Sequence, residues 1–188
     1  LERAKTSGYY DDTVFVFFGD HNTKMNRNHQ YTNEHDLNIN LQHTLFFIHA
    51  PKFITPKVIS KNGKLIDMFP TVMSLIKMNH INYTLGTNLL DTINNKKTSS
   101  FVYLSTKGEP TVGLIQDSLY YYKTNISKSK GLFNLKSENL LDLKEKYPYI
   151  TSEMDSLLST SMAKLRLAFA TIIAQKQGQT FIPSPPLT

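Results

Sequence analysis

No cysteine occurs among the 188 residues. That excludes disulfides and thiolate metal sites, and it is compatible with either side of a membrane. No apolar run approaches the roughly 20 residues that a membrane-spanning helix needs. No signal peptide and no initiator Met stand at the front. The chain starts Leu1-Glu2-Arg3-Ala4-Lys5, which reads as the middle of a helix, so the expectation is a piece of a longer protein. Internal repeats are absent. So are dense basic runs: the lysines are dispersed, and the formal charge of +6 reads as a solvated lysine-rich surface. Such a surface permits attraction to anionic substrates or lipid head groups. Nucleic acid is disfavoured, because no basic run is interleaved with aromatics in a recognisable module.

What is present points to a globular chain. Hydrophobic residues make up 40% of the sequence, and the length suits one domain of ordinary size with a sizeable core. Thr13-Val14-Phe15-Val16-Phe17-Phe18 is β-branched and aromatic and too short for a helix. It reads as a strand buried on both faces. At its exit stand Gly19-Asp20-His21. A carboxylate beside an imidazole at the carboxyl end of a buried parallel strand is where open α/β sheets put their chemistry. Glycine before the pair allows a sharp turn, and adjacent oxygen and nitrogen donors suit a divalent metal. The plainer reading is an Asp capping the next element beside a surface His.

Along the rest of the chain, residues 1–8 read as the end of a helix capped at Gly8. Residues 22–42 are polar and aperiodic, a long loop of the kind that is functional or disordered. Thr44 to Ile48 reads as a second buried strand, stopped by Ala50-Pro51. From Asp67 to Met78 apolar residues recur at helical spacing, with Asp67 as N-cap and Pro70 in the first turn. After Gly86 the character changes. Residues 101–104, 112–115 and 118–122 read as an antiparallel meander, with Gln116-Asp117 as its second tight turn. A long amphipathic helix follows Pro148, opened by a capping-box-like Ser152 and Asp155. Met154, Leu157, Leu158, Met162, Leu165, Phe169, Ile172 and Ile173 lie on one face, which reads as core packing. It should end near Gly178.

Asp11 to His21 resembles the metal-binding segment of the sulfatase and alkaline phosphatase superfamily, with the lipoteichoic-acid-synthase-like phosphoglycerol transferases as the nearest branch. Gln42 to Pro51 resembles that family's strand ending in Ala-Pro. Ile66-Asp67-Met68-Phe69-Pro70-Thr71-Val72 resembles its Asp-hydrophobic-hydrophobic-Pro-Thr helix. Leu85-Gly86-Thr87-Asn88-Leu89-Leu90 resembles the following Gly-x-x-Leu-Leu segment, and Phe133-Asn134-Leu135 its late Tyr-Asp-Leu strand. Each match is short, but they follow in order over most of the chain. One departure is Asn22, where the family often has Gly after the Asp-His pair; Asn tolerates left-handed angles.

The resemblance implies an α/β fold, the C-terminal part of an alkaline-phosphatase-like αβα sandwich with a mostly parallel central sheet. Residues 1–95 would hold the core carrying the Asp-His motif. Residues 96–188 would add antiparallel strands and a helix packed on the same domain. A Thr, Ser or modified Cys nucleophile and further acidic metal ligands would lie upstream, so no catalytic nucleophile is expected here. Asp20 would bind the metal through a carboxylate oxygen, and His21 through a ring nitrogen or by holding the nucleophile's oxygen. A hard, oxygen-rich site suits Mn, Mg or Ca, whereas more histidines would favour Zn. His43, just before the second strand, and His29, in the polar loop, are candidate contacts for the anionic ester substrate. His35 shares that loop, where the plainer reading is a solvated histidine. His49 reads as structural, and His80 as a cation complementing a helix C-terminus. The expected function is phosphoglycerol transfer or phosphodiester cleavage on a lipid- or glycan-linked substrate. A sulfate-ester hydrolase is the runner-up, and a non-catalytic module the alternative of another class. The implied partners are that ester and the remainder of the catalytic domain. The implied location is the outward face of a bacterial inner membrane, periplasmic or extracellular.

Overall fold

The computed structural model describes residues 1–22, 32–82, 84–91, 98–106 and 108–178. The chain divides into two compact units, Leu1–Ser60 and Lys61–Thr188.

The first unit opens with a short helix, α1 (Glu2–Thr6), which buries Ala4. Gly8, at φ +80°, stops it as the sequence suggests. Strand β1 (Phe15–Phe18) pairs with β2 (Phe46–His49) in an antiparallel register from Phe15 opposite His49 to Phe18 opposite Phe46. This corrects two expectations. The strands are antiparallel, and they are half-buried rather than covered on both faces. Phe17 stacks on Phe47 at a centroid distance of 4.5 Å, yet both rings are more than a third exposed. A continuous apolar run reveals that both faces are apolar. It does not specify which neighbours cover them or in which direction they run. The 22–42 segment is also less irregular than expected. Its described part holds helix α2 (Thr32–Asp36) and a 3-10 turn, Asn40–Gln42, joined through Asn38 at φ +57° and anchored by the buried Ile39. One helical turn and a half is too short to leave a readable period.

The second unit begins with a 3-10 turn, Leu65–Asp67, leading into helix α3 (Met68–Leu75), with Pro70 buried in its first turn. Asp67 sits at the N-cap position, but its carboxylate does not cap α3. It is almost wholly buried, and it accepts the backbone N–H of Lys64 at 2.8 Å and of Thr87 at 2.7 Å. The buried Thr71 hydroxyl donates to the Asp67 carbonyl at 2.6 Å and accepts the Leu89 N–H at 3.0 Å. Asp67 and Thr71 thus strap residues 87–89 onto α3. Gly86 is required here because a Cβ would collide with the Ile66 carbonyl.

A four-stranded antiparallel meander follows: β3 (Ser99–Thr106), β4 (Glu109–Gln116), β5 (Leu119–Thr124) and β6 (Lys130–Asn134), in that order across the sheet. Gln116 pairs with Leu119, so the second turn is Asp117-Ser118, one residue later than expected, with Asp117 at φ +53°. Leu114, Tyr121 and Leu132 lie opposite one another on successive strands. With Val112 they form one face of a core whose other side is Met154 and Leu158 of helix α4 (Pro148–Lys176). The Lys123 ammonium pins the helix to β5, 2.6 Å from Asp155 and 3.0 Å from the Ser159 hydroxyl.

Helix α4 departs from its sequence reading in three ways. It starts at Pro148, so Ser152 and Asp155 lie inside the helix and no capping box forms; Asp155 is used by Lys123 instead. Its apolar stripe is core only in the N-terminal half, while Phe169 and Ile173 are more than half exposed. It also contains an 18-residue window of mean hydropathy 1.4, of which 11% is buried, so by length and composition it could cross a membrane. One such helix is weak evidence of a span. Its first turns are committed to the sheet.

Replacing Asp67 by Ala leaves the Lys64 and Thr87 donors without their acceptor and should lower stability by about 2–4 kcal/mol. Gly86→Ala should lower it by about 2 kcal/mol through the clash with Ile66. Urea unfolding measures both; unchanged midpoints would mean that residues 86–89 are held by something else.

Candidate metal centre

Asp20 and His21 occupy the bend directly after β1. The bend is fixed from the neighbouring chain: the Gly19 N–H donates to the Leu45 carbonyl at 3.0 Å and the Asn22 N–H to the Leu41 carbonyl at 2.9 Å. Residues 19–22 therefore run alongside residues 41–45, beyond the last strand pair. No left-handed backbone angle is involved at Gly19 or Asn22. A Cβ at Gly19 would make an ordinary contact, 3.4 Å from the Thr44 Cβ, so the bend does not depend on glycine for space.

The two side chains are well exposed, at 81% for Asp20 and 71% for His21. Asp20 Oδ1 accepts the His21 backbone N–H at 2.9 Å. His21 Nδ1 lies 3.0 Å from the Asn22 carbonyl oxygen, which can only accept, so Nδ1 carries the proton. In the neutral ring Nε2 then holds the lone pair, the state a metal-binding histidine needs. Asp20 Oδ2 stands 3.9 Å from Nε2, too far for a hydrogen bond. It is close to the separation of two ligands that each lie about 2.1–2.4 Å from a shared cation. The oxygen and nitrogen donors therefore fit part of a divalent metal site. Among the described residues no cluster of three or more metal-ligating side chains forms.

His43 follows the Asn40–Gln42 turn, at the same end of the β1–β2 ribbon as Asp20 and His21. Its Nδ1 lies 2.8 Å from Glu34 Oε2, with Glu34 19% and His43 48% exposed. The Glu34 carboxylate raises the imidazole pKa above its ordinary value, against the opposing effect of burial. The sequence offered no signal for this partner: nine residues separate the two, and the short α2 that presents Glu34 was unreadable. His35 pairs with Asp36 at 3.4 Å. His29 lies outside the described residues. His49 is held in an aromatic cluster, with Tyr10 Oη 2.6 Å from its Nε2 and Phe15 nearby. His80 stands edge-on to Phe69 at 5.4 Å. A cavity of about 430 Å³ between β6 and the start of α4 has none of the candidate residues in its wall.

Residues 1–78 match the family model for sulfatases. A 2-O GAG sulfatase superposes with a TM-score of 0.66 at 15% identity, covering 88% of this chain and 39% of its own. A second solved structure, from Bacteroides thetaiotaomicron VPI-5482 and provisionally described as a sulfatase, gives 0.60 at 14% identity, covering 94% and 40%. At such identities the likeness is one of fold. No curated protein matches the chain. The chain has the mixed α/β fold of the C-terminal part of a sulfatase, and it spans about two fifths of the length of both structures. The sequence likeness to sulfatases is confined to residues 1–78 and specifies no branch.

The Glu34–His43 pair has a defined pH signature. A raised folded-state pKa contributes stability that is fully present below about pH 6.5 and is lost as pH rises through the folded value. The pair is half-exposed, so the effect should stay under about 1 kcal/mol. Thermal melts of wild type and Glu34→Gln should differ most below pH 6.5 and converge at alkaline pH; a gap that widens with pH would contradict the pairing.

Proposed function

We propose that this chain is the C-terminal part of a metal-dependent enzyme acting on anionic esters, with its nucleophile upstream. The reading rests above all on one observation. In a segment that matches the sulfatase family model, an imidazole with its lone pair on Nε2 stands beside a carboxylate oxygen at the end of a strand. Of the reactions open to this superfamily, phosphoglycerol transfer or phosphodiester cleavage on a lipid- or glycan-linked substrate is the primary assignment. It is supported by the ordered motif resemblance from Asp11 to Leu135. Sulfate-ester hydrolysis is the second reading, favoured by what the family model and both solved structures are described as.

Asp20 would hold the cation through Oδ2 and His21 through Nε2, completed by acidic ligands from the remainder of the domain. Mn, Mg or Ca fits a mainly oxygen set, and Zn fits one with more histidine. The bound cation would neutralise charge developing on the ester oxygens and lower the pKa of the attacking group. His43 and His29 are assigned to the ester oxygens. We place the parent protein in a bacterial inner membrane with this part facing outward, a reading supported by the resemblance.

In the full-length protein, Asp20→Ala with His21→Ala should abolish divalent-metal binding and reduce ester turnover by at least about a hundredfold, since even outer-shell changes cost 10- to 100-fold. Metal stoichiometry by elemental analysis is the check, and an unchanged value sinks the reading. The 188-residue chain alone should turn over neither phosphodiesters nor sulfate esters; turnover free of contaminating phosphatase would relocate the nucleophile to this chain.

A further inference from the structure

Helix α4 outlasts the sheet it packs on. Met154 and Leu158 are buried in the sheet core, and Met162 packs against it. Beyond Met162 the same helix face continues with Leu165, Phe169 and Ile173, three or four residues apart. There it loses its cover: Phe169 and Ile173 are 59% and 53% exposed. The other side of this half is turned to protein, where Leu167, Ala168 and Thr171 share a cavity wall with Thr84 and Leu85. Charge in this half has one sign. Asp155 is the last acidic residue of the sequence, and Lys123 engages it. Lys164, Arg166 and Lys176 follow, and among the described residues none of the three has a carboxylate partner.

These features select what covers the open face. A second copy of the helix would set cation against cation, with no acidic side chain to offset them. A membrane span is excluded by length. With Met154 and Leu158 held in the sheet core, residues 162–176 supply about 22 Å of helix, short of a hydrocarbon core of roughly 30 Å. An apolar face accompanied by unpaired cations instead suits the boundary between head groups and acyl chains. There the stems of Lys and Arg lie along apolar surface while their charged ends reach lipid phosphates. We infer that the 162–176 half of α4 lies on an anionic lipid bilayer, with Phe169 and Ile173 entering the interface and Lys164, Arg166 and Lys176 meeting the phosphates. The contact stands apart from the ester chemistry, since it needs neither the metal nor the nucleophile.

The test uses the 188-residue chain with two kinds of vesicle, pure phosphatidylcholine and equal parts of phosphatidylcholine and phosphatidylglycerol. Co-sedimentation should show binding to the anionic vesicles and not to the neutral ones, weakened by added salt. The triple variant Lys164→Gln/Arg166→Gln/Lys176→Gln should bind about a hundredfold more weakly. Phe169→Ser with Ile173→Ser should lose at least about tenfold. Both variants change exposed side chains, so circular dichroism should match that of wild type. The chain has no tryptophan, so one introduced indole reports one position. Emission should shift to the blue in Phe169→Trp when anionic vesicles are added. It should stay unshifted in Tyr149→Trp, on the exposed first turn of α4. Absence of binding, equal binding to both vesicles, full binding by the triple variant, or the same shift at 149 as at 169 overturns the inference. An acidic protein partner, rather than lipid, is what the cations serve if Phe169→Trp stays unshifted, and that too overturns it. No turnover is measured, so this contact survives loss of the ester reading, and the ester reading survives loss of this contact.

Discussion

The arrangement of the candidate centre depends on the register of β1 on β2. Phe18 opposite Phe46 is the last strand pair, and the Gly19 N–H on the Leu45 carbonyl carries the pairing one step further. Because side chains alternate along a strand, a slip of one residue would reverse the faces of Phe15 to Phe18 and detach the bend that carries Asp20 and His21. The register is held by a cross-strand stack, Phe17 on Phe47, and at the other end by the cluster of Tyr10, Phe15 and His49. The aromatic content of this segment thus sets the position of a polar pair that is itself exposed and weakly constrained.

The second unit solves a different problem. Short connections there are fixed by buried polar groups: Asp67 and Thr71 satisfy the backbone N–H groups of Lys64, Thr87 and Leu89. A buried carboxylate is tolerable because each interaction is with a donor, and because the Lys64 ammonium lies 3.7 Å away. The sheet core needs no such device. Leu114, Tyr121 and Leu132 meet across strands, and α4 covers them with residues one helical turn apart, Met154 and Leu158.

Much of this was legible because it follows from local pattern. The strand positions, the end of the long helix near Gly178, and the Asp-His pair at a strand exit all come from alternation, apolar runs and punctuating residues. What the sequence hid depends on long-range pairing or on elements below the length of a period. The direction of β2, the α2 turn and the Glu34–His43 contact are of this kind. Asp67 illustrates the intermediate case. Its position at a helix start was readable, but its side chain serves Thr87, twenty residues on, and nothing local reveals that. The exposed half of α4 was misread because a stripe at helical spacing specifies an apolar face without specifying what it meets.

The β1–β2 ribbon has a consequence for how such a chain behaves in solution. Among the described residues no further strand pairs with either edge of this ribbon, and the edges flank phenylalanines that are more than a third exposed. Isolated ribbons of this size are marginal in water, and unpaired apolar edges are templates for further strands. In this stretch of chain the segments Phe15–Phe18 and Phe46–His49 are the apolar surface on which a further strand could add. The ribbon's stability in a full domain therefore depends on what adds to those edges, with Phe17 and Phe47 as the side chains such an addition would cover.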